Sequence, residues 1–258
     1  MIAQRTIVAG LCEPPLGLAW DEALVRAPVE VPTLLVWRAR PGVVIGRFQR
    51  ADWEVDAAAC AAAGVRVWRR FTGGGAVYLD PGTVCAALAL PAGHPAAAAA
   101  IPDMYSPLLD GLVRACRALG ADASRDERTV RVGGRKVTGI AAHRGREVTL
   151  VHGTLLVAAE LDTLRACLAG PRDGDLQGRP RPAASRPDHV TLIGGGVEAA
   201  EAAVVAALAA PGAEAGELTA AQAVAAAELV RTRYRDPAWH AGPWHDVTPP
   251  PVAAVLGA

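Results

Sequence analysis

Apolar positions first recur with helical spacing at 16–27, LGLAWDEALVRA, where Leu18, Trp20, Ala23, Leu24 and Val25 form a stripe behind Pro14-Pro15. The period then shortens. TLLVWRAR and GVVIGRF are aliphatic, β-branched runs separated by Pro41-Gly42, which predicts a pair of strands. VDAAACAAAG (55–64) predicts a helix stopped by Gly64, and VRVWRRF (65–71) alternates valine and tryptophan with arginine as a strand does. AVYLD, after a glycine run, predicts the hairpin or edge partner of that strand, and TVCAALALP a further strand. SPLLDGLVRACRALG reads as an amphipathic helix with Ser106 as N-cap and Gly120 as stop. Residues 128–158 alternate with glycine breaks, predicting consecutive antiparallel strands. Helices return at LDTLRACLAG and TAAQAVAAAELVRTRY, and the polar, proline-rich 170–189 reads as a loop. Hairpin-joined strands with helices at intervals predict an α+β fold: a mixed, mainly antiparallel β-sheet flanked by helices.

Length and composition narrow this picture. A chain of 258 residues can bury one sizeable core, so residues 1–258 are expected to form a single domain. A formal net charge of zero argues against nucleic acid as partner, because phosphate binding needs a basic stripe. The apolar stretch Val84 to Ile101 is long enough to span a bilayer, but it is mostly alanine and is broken by Pro91, His94 and Pro95; no membrane segment is expected. The N-terminus lacks the pattern of a signal peptide. The five cysteines show no C-x-x-C spacing, which fits a reducing cytoplasm. Of 26 basic residues, Lys136 alone is lysine and the other 25 are arginine.

Three segments carry candidate chemistry. In RRFTGGGAVYLD (69–80) three glycines follow a strand, so N–H groups can face an anion, and Arg69 and Arg70 supply donors for phosphate or carboxylate. A glycine turn with solvated arginines accounts for the same residues. The segment is neither a Walker A loop nor a G-x-G-x-x-G fingerprint. In GGRKVTGIAAH (133–143) Lys136 offers a compact, movable ammonium where arginine would impose a planar fork. A surface lysine left over by composition is the bland alternative. In VTLVHGTLLVA, His152-Gly153-Thr154 interrupts an apolar strand; such a histidine is usually a satisfied core residue, while the glycine marks a close approach to the backbone.

In order and spacing, RRFTGGGAVY, KVTGIA and HGTLL together resemble the lipoate–protein ligase A family, within the larger group of biotin/lipoate protein ligases and octanoyltransferases. LAWDEALV resembles the family's first helix and VVIGRFQ one of its strands. LDTLRACL and SRPDHVTLI resemble the segments after the third motif, and ELVRTRYRDPAW the end of its catalytic domain. The resemblance implies the biotin/lipoate ligase catalytic-domain fold and ATP-dependent activation of lipoate, or octanoate, to an acyl-AMP. The acyl group then passes to a lysine of a lipoyl-domain or H-protein-type acceptor. It implies that Arg70, Gly73, Gly74, Gly75, Ala76, Val77, Tyr78 and Thr83 bind nucleotide, with His152 and Gly153 at the same site. Lys136 is implied to touch the lipoyl carbonyl and the α-phosphate. Magnesium is implied to arrive with ATP, with no metal-ligating protein side chain assigned.

The match departs from the family at Leu79, where a histidine is usual, at Thr83, where an asparagine helps hold metal and phosphates, and at Arg50 after Gln49. No C-terminal accessory domain is expected within these 258 residues; some relatives use a separate accessory polypeptide. The alternatives are an octanoyltransferase acting through a cysteine thioester, with Cys167 or Cys85 as nucleophile, and a lipoate-binding relative without catalysis. A biotin ligase is disfavoured because its adenylate-binding arginine–glycine loop is absent.

Overall fold

Residues 1–168 and 189–241 are described by a computed structural model. A six-stranded sheet organises the chain in the order β10-β11-β6-β2-β1-β12, formed by β1 (Ala3–Cys12), β2 (Thr33–Ala39), β6 (Thr83–Pro91), β10 (Thr138–Arg144), β11 (Val148–Leu156) and β12 (Ala209–Gly216). β10, β11, β6 and β2 are antiparallel to their neighbours, whereas β2, β1 and β12 run parallel. The sheet is therefore mixed, as the pattern predicts.

Both faces of this sheet are covered, and the sequence of β6 shows it. Val84, Ala86, Leu88 and Leu90 face one core, with α4 (Ser106–Ala118) and α6 (Val197–Leu208) laid over it. Cys85, Ala87 and Ala89 face a second core beneath α1 (Pro14–Arg26) and α7 (Ala220–Leu229). A strand buried on both sides loses its alternation and reads as one apolar run, which explains the bilayer-length stretch at Val84. Among the described residues no helix is long and apolar enough to cross a membrane.

A small sheet, β4-β3-β5, stands over the α1 face; its strands are β3 (Gly42–Ile45), β4 (Arg66–Arg69) and β5 (Val77–Leu79). Its outer face makes a third core with α2 (Ala51–Glu54), α3 (Ala57–Ala62) and α5 (Leu161–Cys167). Two expected pairings change here. TLLVWRAR and GVVIGRF do not pair, because β2 joins the large sheet and β3 the small one. AVYLD pairs with β3 instead of with the strand before the glycines, so β3 is central and its four residues are all buried. Patterns within each run identify strands but carry no record of which sheet receives them. A third small sheet, β7 (Ala123–Arg125), β8 (Val130–Val132) and β9 (Arg135–Lys136), is a run of antiparallel pairs.

Helix boundaries follow the expected signals in part. Asp56 caps α3 by accepting from the Ala59 N–H, and Gly64 and Gly120 adopt φ of 65° and 85°. Ser106 is not an N-cap: a 3₁₀ turn, Asp103–Tyr105, runs directly into α4, so no free amide waits for its hydroxyl. β1, α6 and β12 carry no expectation above; α6 is so rich in alanine that it merges with the background composition. The loop expected at 170–189 lies outside the described residues except for His189.

On the buried side of α1, Glu22 is tied to the turn that follows α7. Its carboxylate accepts from the Tyr234 hydroxyl at 2.7 Å and from Arg26, and pairs with Arg233. Tyr234 closes a π-helical turn, Val230–Tyr234, and is fully buried. Tyr234→Phe should lower stability by about 1.5–3 kcal/mol, the worth of a hydrogen bond to a charged group; urea denaturation measures it.

Candidate functional site

The hairpin turn before Lys136 sets its position. Gly133 and Gly134 adopt φ of 55° and 75°, two consecutive left-handed residues that only glycine supplies without strain. β9 then carries Lys136 opposite Arg131 of β8, and its carbonyl accepts from Thr191 at 2.9 Å. The ammonium is half-buried, has no ion-pair partner among the described residues, and lines a cavity of about 930 Å³. Burial holds its pKa below the ordinary lysine value, Arg131 adds to that, and Asp126 opposes it.

The cavity lies between the large and small sheets and continues to the β8–β9 hairpin. Leu18, Val44, Val77 and Leu79 give it apolar walls; Trp37, Cys85 and His152 line it from the large sheet and Asp21 from α1; Asp126, Arg131 and His189 line it with Lys136. A volume of this size suits a substrate larger than a single metabolite ring.

The glycine loop forms another wall, and its shape comes from Arg70. The guanidinium donates to the Gly73 carbonyl from Nε and Nη2, to Gly75 from Nη2 at 2.9 Å, and to Val44 from Nη1. With those carbonyls turned onto Arg70, the N–H groups of Gly73, Gly74 and Gly75 find no acceptor among the described residues. Gly74 sits at φ 88°, and its carbonyl packs against Gly46, where a Cβ would come within 2.1 Å of it. The loop thus presents amides as an anion-binding nest does. Burial pulls the Arg70 pKa down to about 10, with the Asp21 carboxylate opposing.

A run of buried side chains ties this loop to the large sheet and α1. Arg70 Nε donates to Thr72 Oγ1 at 3.0 Å, Thr72 Oγ1 lies 2.8 Å from His152 Nε2, and His152 Nδ1 lies 2.6 Å from Asp21 Oδ2. Trp37 Nε1 donates to the other oxygen of Asp21 at 3.0 Å. The motifs single out neither Asp21 nor Thr72. For Asp21 a signal exists in the chain: it falls three residues after Leu18 and three before Leu24, on the stripe that should be apolar.

Of the residues singled out from sequence, Lys136, Arg70, Gly74, Gly75, Ala76, Val77, His152 and Gly153 all line the one cavity. Four others do not. Gly73 contributes its carbonyl to Arg70 from behind the wall. Tyr78 points from the opposite face of β5 into the third core, because side chains alternate along a strand, and burial pushes its hydroxyl pKa up. Thr83 is fully buried and donates to Asp80 Oδ1 at 2.9 Å. Arg69 is turned away from the cavity. Its N–H groups meet the carbonyls of Gly46, Arg47, Gln49, Trp239, His240 and Ala241, fastening α8 (Pro237–Ala241) to the small sheet.

The candidate nucleophiles also separate. Cys167 has no exposed surface and sits in the third core beside Cys60, across the small sheet from the cavity. The Cys60 thiol holds the Cys167 thiol below its ordinary pKa against the effect of burial, but nothing in the cavity reaches it. Cys85 does line the cavity, yet burial first and then Asp21 push its thiol well above the ordinary value. Among the described residues no group of three His, Cys, Asp or Glu side chains gathers as a metal site. Asp80 and Thr83 are committed to each other, and Asp80 also accepts from the Gly82 and Glu160 amides.

The family model of the lipoyl protein ligase A/B catalytic domain matches residues 13–212, spanning every element that builds this cavity. The chain belongs to that family. Its likeness to lipoate-protein ligase A subunit 1 of Thermoplasma acidophilum is 31% identity over 169 residues, covering 60% of this chain and 63% of that protein, under two thirds of its length. A solved lipoate-protein ligase A bound with ATP shares the fold, with a TM-score of 0.78 at 24% identity over 94% of this chain and 99% of that one. A solved chain from the T. acidophilum lipoylation system, a bipartite ligase with its E2 lipoyl domain, gives a TM-score of 0.76 at 25% identity over 96% and 99%. Each of the three motif segments thus contributes residues to one cavity, and Leu79, where the family's motif has a histidine, supplies part of its apolar wall.

Arg69→Met should cost about 3 kcal/mol or more, since it leaves several buried carbonyls unpaired, each worth about 1–3 kcal/mol. Equilibrium unfolding of the variant measures the loss.

Proposed function

We propose that this chain is a lipoate–protein ligase catalytic domain. It activates lipoate, or the related octanoate, with ATP and passes the acyl group to a lysine of a lipoyl domain. The observation that carries the reading is the Lys136 ammonium, without an ion-pair partner among the described residues, lining a cavity walled by the amide-presenting glycine loop. Two anions have to meet in the first half-reaction, the acyl carboxylate and the α-phosphate. Their mutual repulsion in a low-dielectric cavity falls when a cation stands between them. The carboxylate oxygen attacks the α-phosphorus and pyrophosphate leaves. In the second half-reaction the acceptor amine attacks the acyl carbon, AMP leaves, and the amine's proton passes to solvent.

The rest of the site has compatible roles. Leu18, Val44, Val77 and Leu79 line a slot in which each methylene of a C8 chain contributes about 0.8 kcal/mol. The glycine-loop amides and Arg70 face the phosphates. With Thr83 and Asp80 bound to each other and Asp126 paired with Arg131, no group of three His, Cys, Asp or Glu side chains among the described residues fits a protein-held magnesium site; the ion would be carried by the nucleotide, and no step is assigned to it. The cysteine-thioester alternative lacks a nucleophile: Cys167 is walled off and Cys85 is held as a thiol. The five free cysteines are consistent with work in a reducing cytoplasm. The T. acidophilum system supports an E2-type lipoyl domain as acceptor and a second polypeptide as part of the complete ligase.

Lipoate-dependent ATP–pyrophosphate exchange is the direct test. Exchange is expected in the wild type; its absence alongside acyl transfer from octanoyl carrier protein would replace the ligase with a transferase. Lys136→Arg should lower exchange by about 10²–10³-fold, the range for removing a preorganised charge-stabilising donor, while thermal unfolding stays at the wild-type temperature. A variant that turns over like wild type would sink the role given to Lys136.

The pH–rate profile has a definite sign. Burial and Arg131 hold the Lys136 pKa low, so the alkaline limb lies where its ammonium loses the proton. Arg131→Met removes a repelling cation and frees Asp126, so the limb should move to higher pH. Asp126→Asn removes the attracting charge and should move it lower.

A further inference from the structure

Proton and acceptor bookkeeping along the buried run gives the direction of every bond when the His152 ring carries one proton; a second ring proton would leave the Thr72 O–H with no acceptor among the described residues. Trp37 Nε1 and Arg70 Nε can only donate, so both ends of the run are pinned. Asp21 accepts on both oxygens, from Trp37 and from His152 Nδ1–H. That assigns His152 the tautomer with the proton on Nδ1 and leaves Nε2 as an acceptor. Thr72 O–H donates to Nε2, and the Thr72 oxygen in turn accepts from Arg70 Nε. Every group is satisfied in one arrangement, and the members are nearly inaccessible: Thr72 is 1% exposed, Asp21 2%, Arg70 5% and His152 8%.

Two features show what the run holds. It joins three separate pieces of the fold: α1 through Asp21, the large sheet through Trp37 and His152, and the glycine loop through Thr72 and Arg70. Its loop end is the same guanidinium that gathers the Gly73 and Gly75 carbonyls. Thr72, the link between histidine and arginine, does not line the cavity.

We propose that Asp21, His152 and Thr72 are positioning residues which, through Arg70, fix the orientation of the Gly73–Gly75 amides. In this arrangement His152 acts on the loop, because both of its ring nitrogens are already engaged. Asp21 is needed as a carboxylate: asparagine has one acceptor oxygen for two donors. An asparagine amide facing His152 Nδ1 moves the ring proton to Nε2 and takes away the acceptor that Thr72 uses.

The test has one arm independent of activity and one that rests on the ligase reading. In histidine- and glycine-labelled protein, ¹⁵N NMR should show His152 protonated at Nδ1 in wild type and at Nε2 in Asp21→Asn. Thr72→Val, isosteric but without the hydroxyl, should shift the amide signals of Gly73, Gly74 and Gly75; Thr72→Ser should leave them in place. In lipoate-dependent exchange, Thr72→Val should lower kcat by about 10–100-fold, the effect of a small misplacement of reacting groups. KM for lipoate should stay within about twofold, and Thr72→Ser should return kcat to within about threefold of wild type. Nε2 protonation in the wild type, or unshifted loop amides in Thr72→Val, overturns the proposal. So does a Thr72→Val kcat equal to wild type, or a serine variant as impaired as the valine one. A wild-type protein that performs no exchange defeats the ligase reading, and the NMR arm then decides the positioning role by itself.

Discussion

One buried guanidinium organises the site. Arg70 collects the carbonyls of Gly73, Gly75 and Val44 on one side of the glycine loop, and the amides are left for whatever enters the cavity. A loop of three glycines has no intrinsic reason to hold one shape, since glycine loses more conformational freedom on ordering than any other residue. Here the cost is offset by charge-assisted hydrogen bonds in a water-poor setting, and the Asp21 carboxylate balances the buried charge through two intervening side chains. The neighbouring arginine has a structural role, since Arg69 fastens α8 to the small sheet. Two adjacent arginines, the last residue of β4 and the one after it, therefore point in opposite directions, one toward the cavity and one toward α8.

The small sheet also decides what chemistry is within reach. Val44, Val77 and Leu79 face the cavity, while Val43, Ile45 and Tyr78 face the third core. That single layer separates Cys167 from Lys136. A thiol with a lowered pKa is a nucleophile only where substrate can arrive, and Cys167 lies on the wrong side of the wall. Cys85 is on the right side but is kept protonated by burial next to an anion. The departures from the family's motif fall into the same frame. Leu79 adds apolar surface to the cavity wall, and Thr83 stabilises the turn at Asp80 instead of facing the cavity. The cavity wall here is built from backbone amides with Arg70 behind them and Lys136 across from them, and among the described residues no group of three His, Cys, Asp or Glu side chains gathers to hold a metal.

The chain by itself determined its elements where local signals suffice. The 3.6-residue spacing of Leu18, Ala23 and Leu24 gave α1, Gly64 and Gly120 gave helix ends, and Gly133-Gly134 marked the break before Lys136. It also marked Lys136, because one lysine among 25 arginines at a motif position stands out against a uniform background. What it left open was every question of partner. Strand runs buried on both faces carry no alternation, so the sequence could not say that β3 leaves β2 for another sheet or that β5 pairs with β3. Nor does a motif say which way each of its residues points: Arg69, Tyr78 and Thr83 sit inside the matching segments yet turn from the cavity. The run from Trp37 to Arg70 joins residues separated by up to 131 positions, and only the tertiary structure brings them into contact. Local propensity is a property of neighbouring residues, whereas satisfying a buried donor depends on whatever the fold sets beside it.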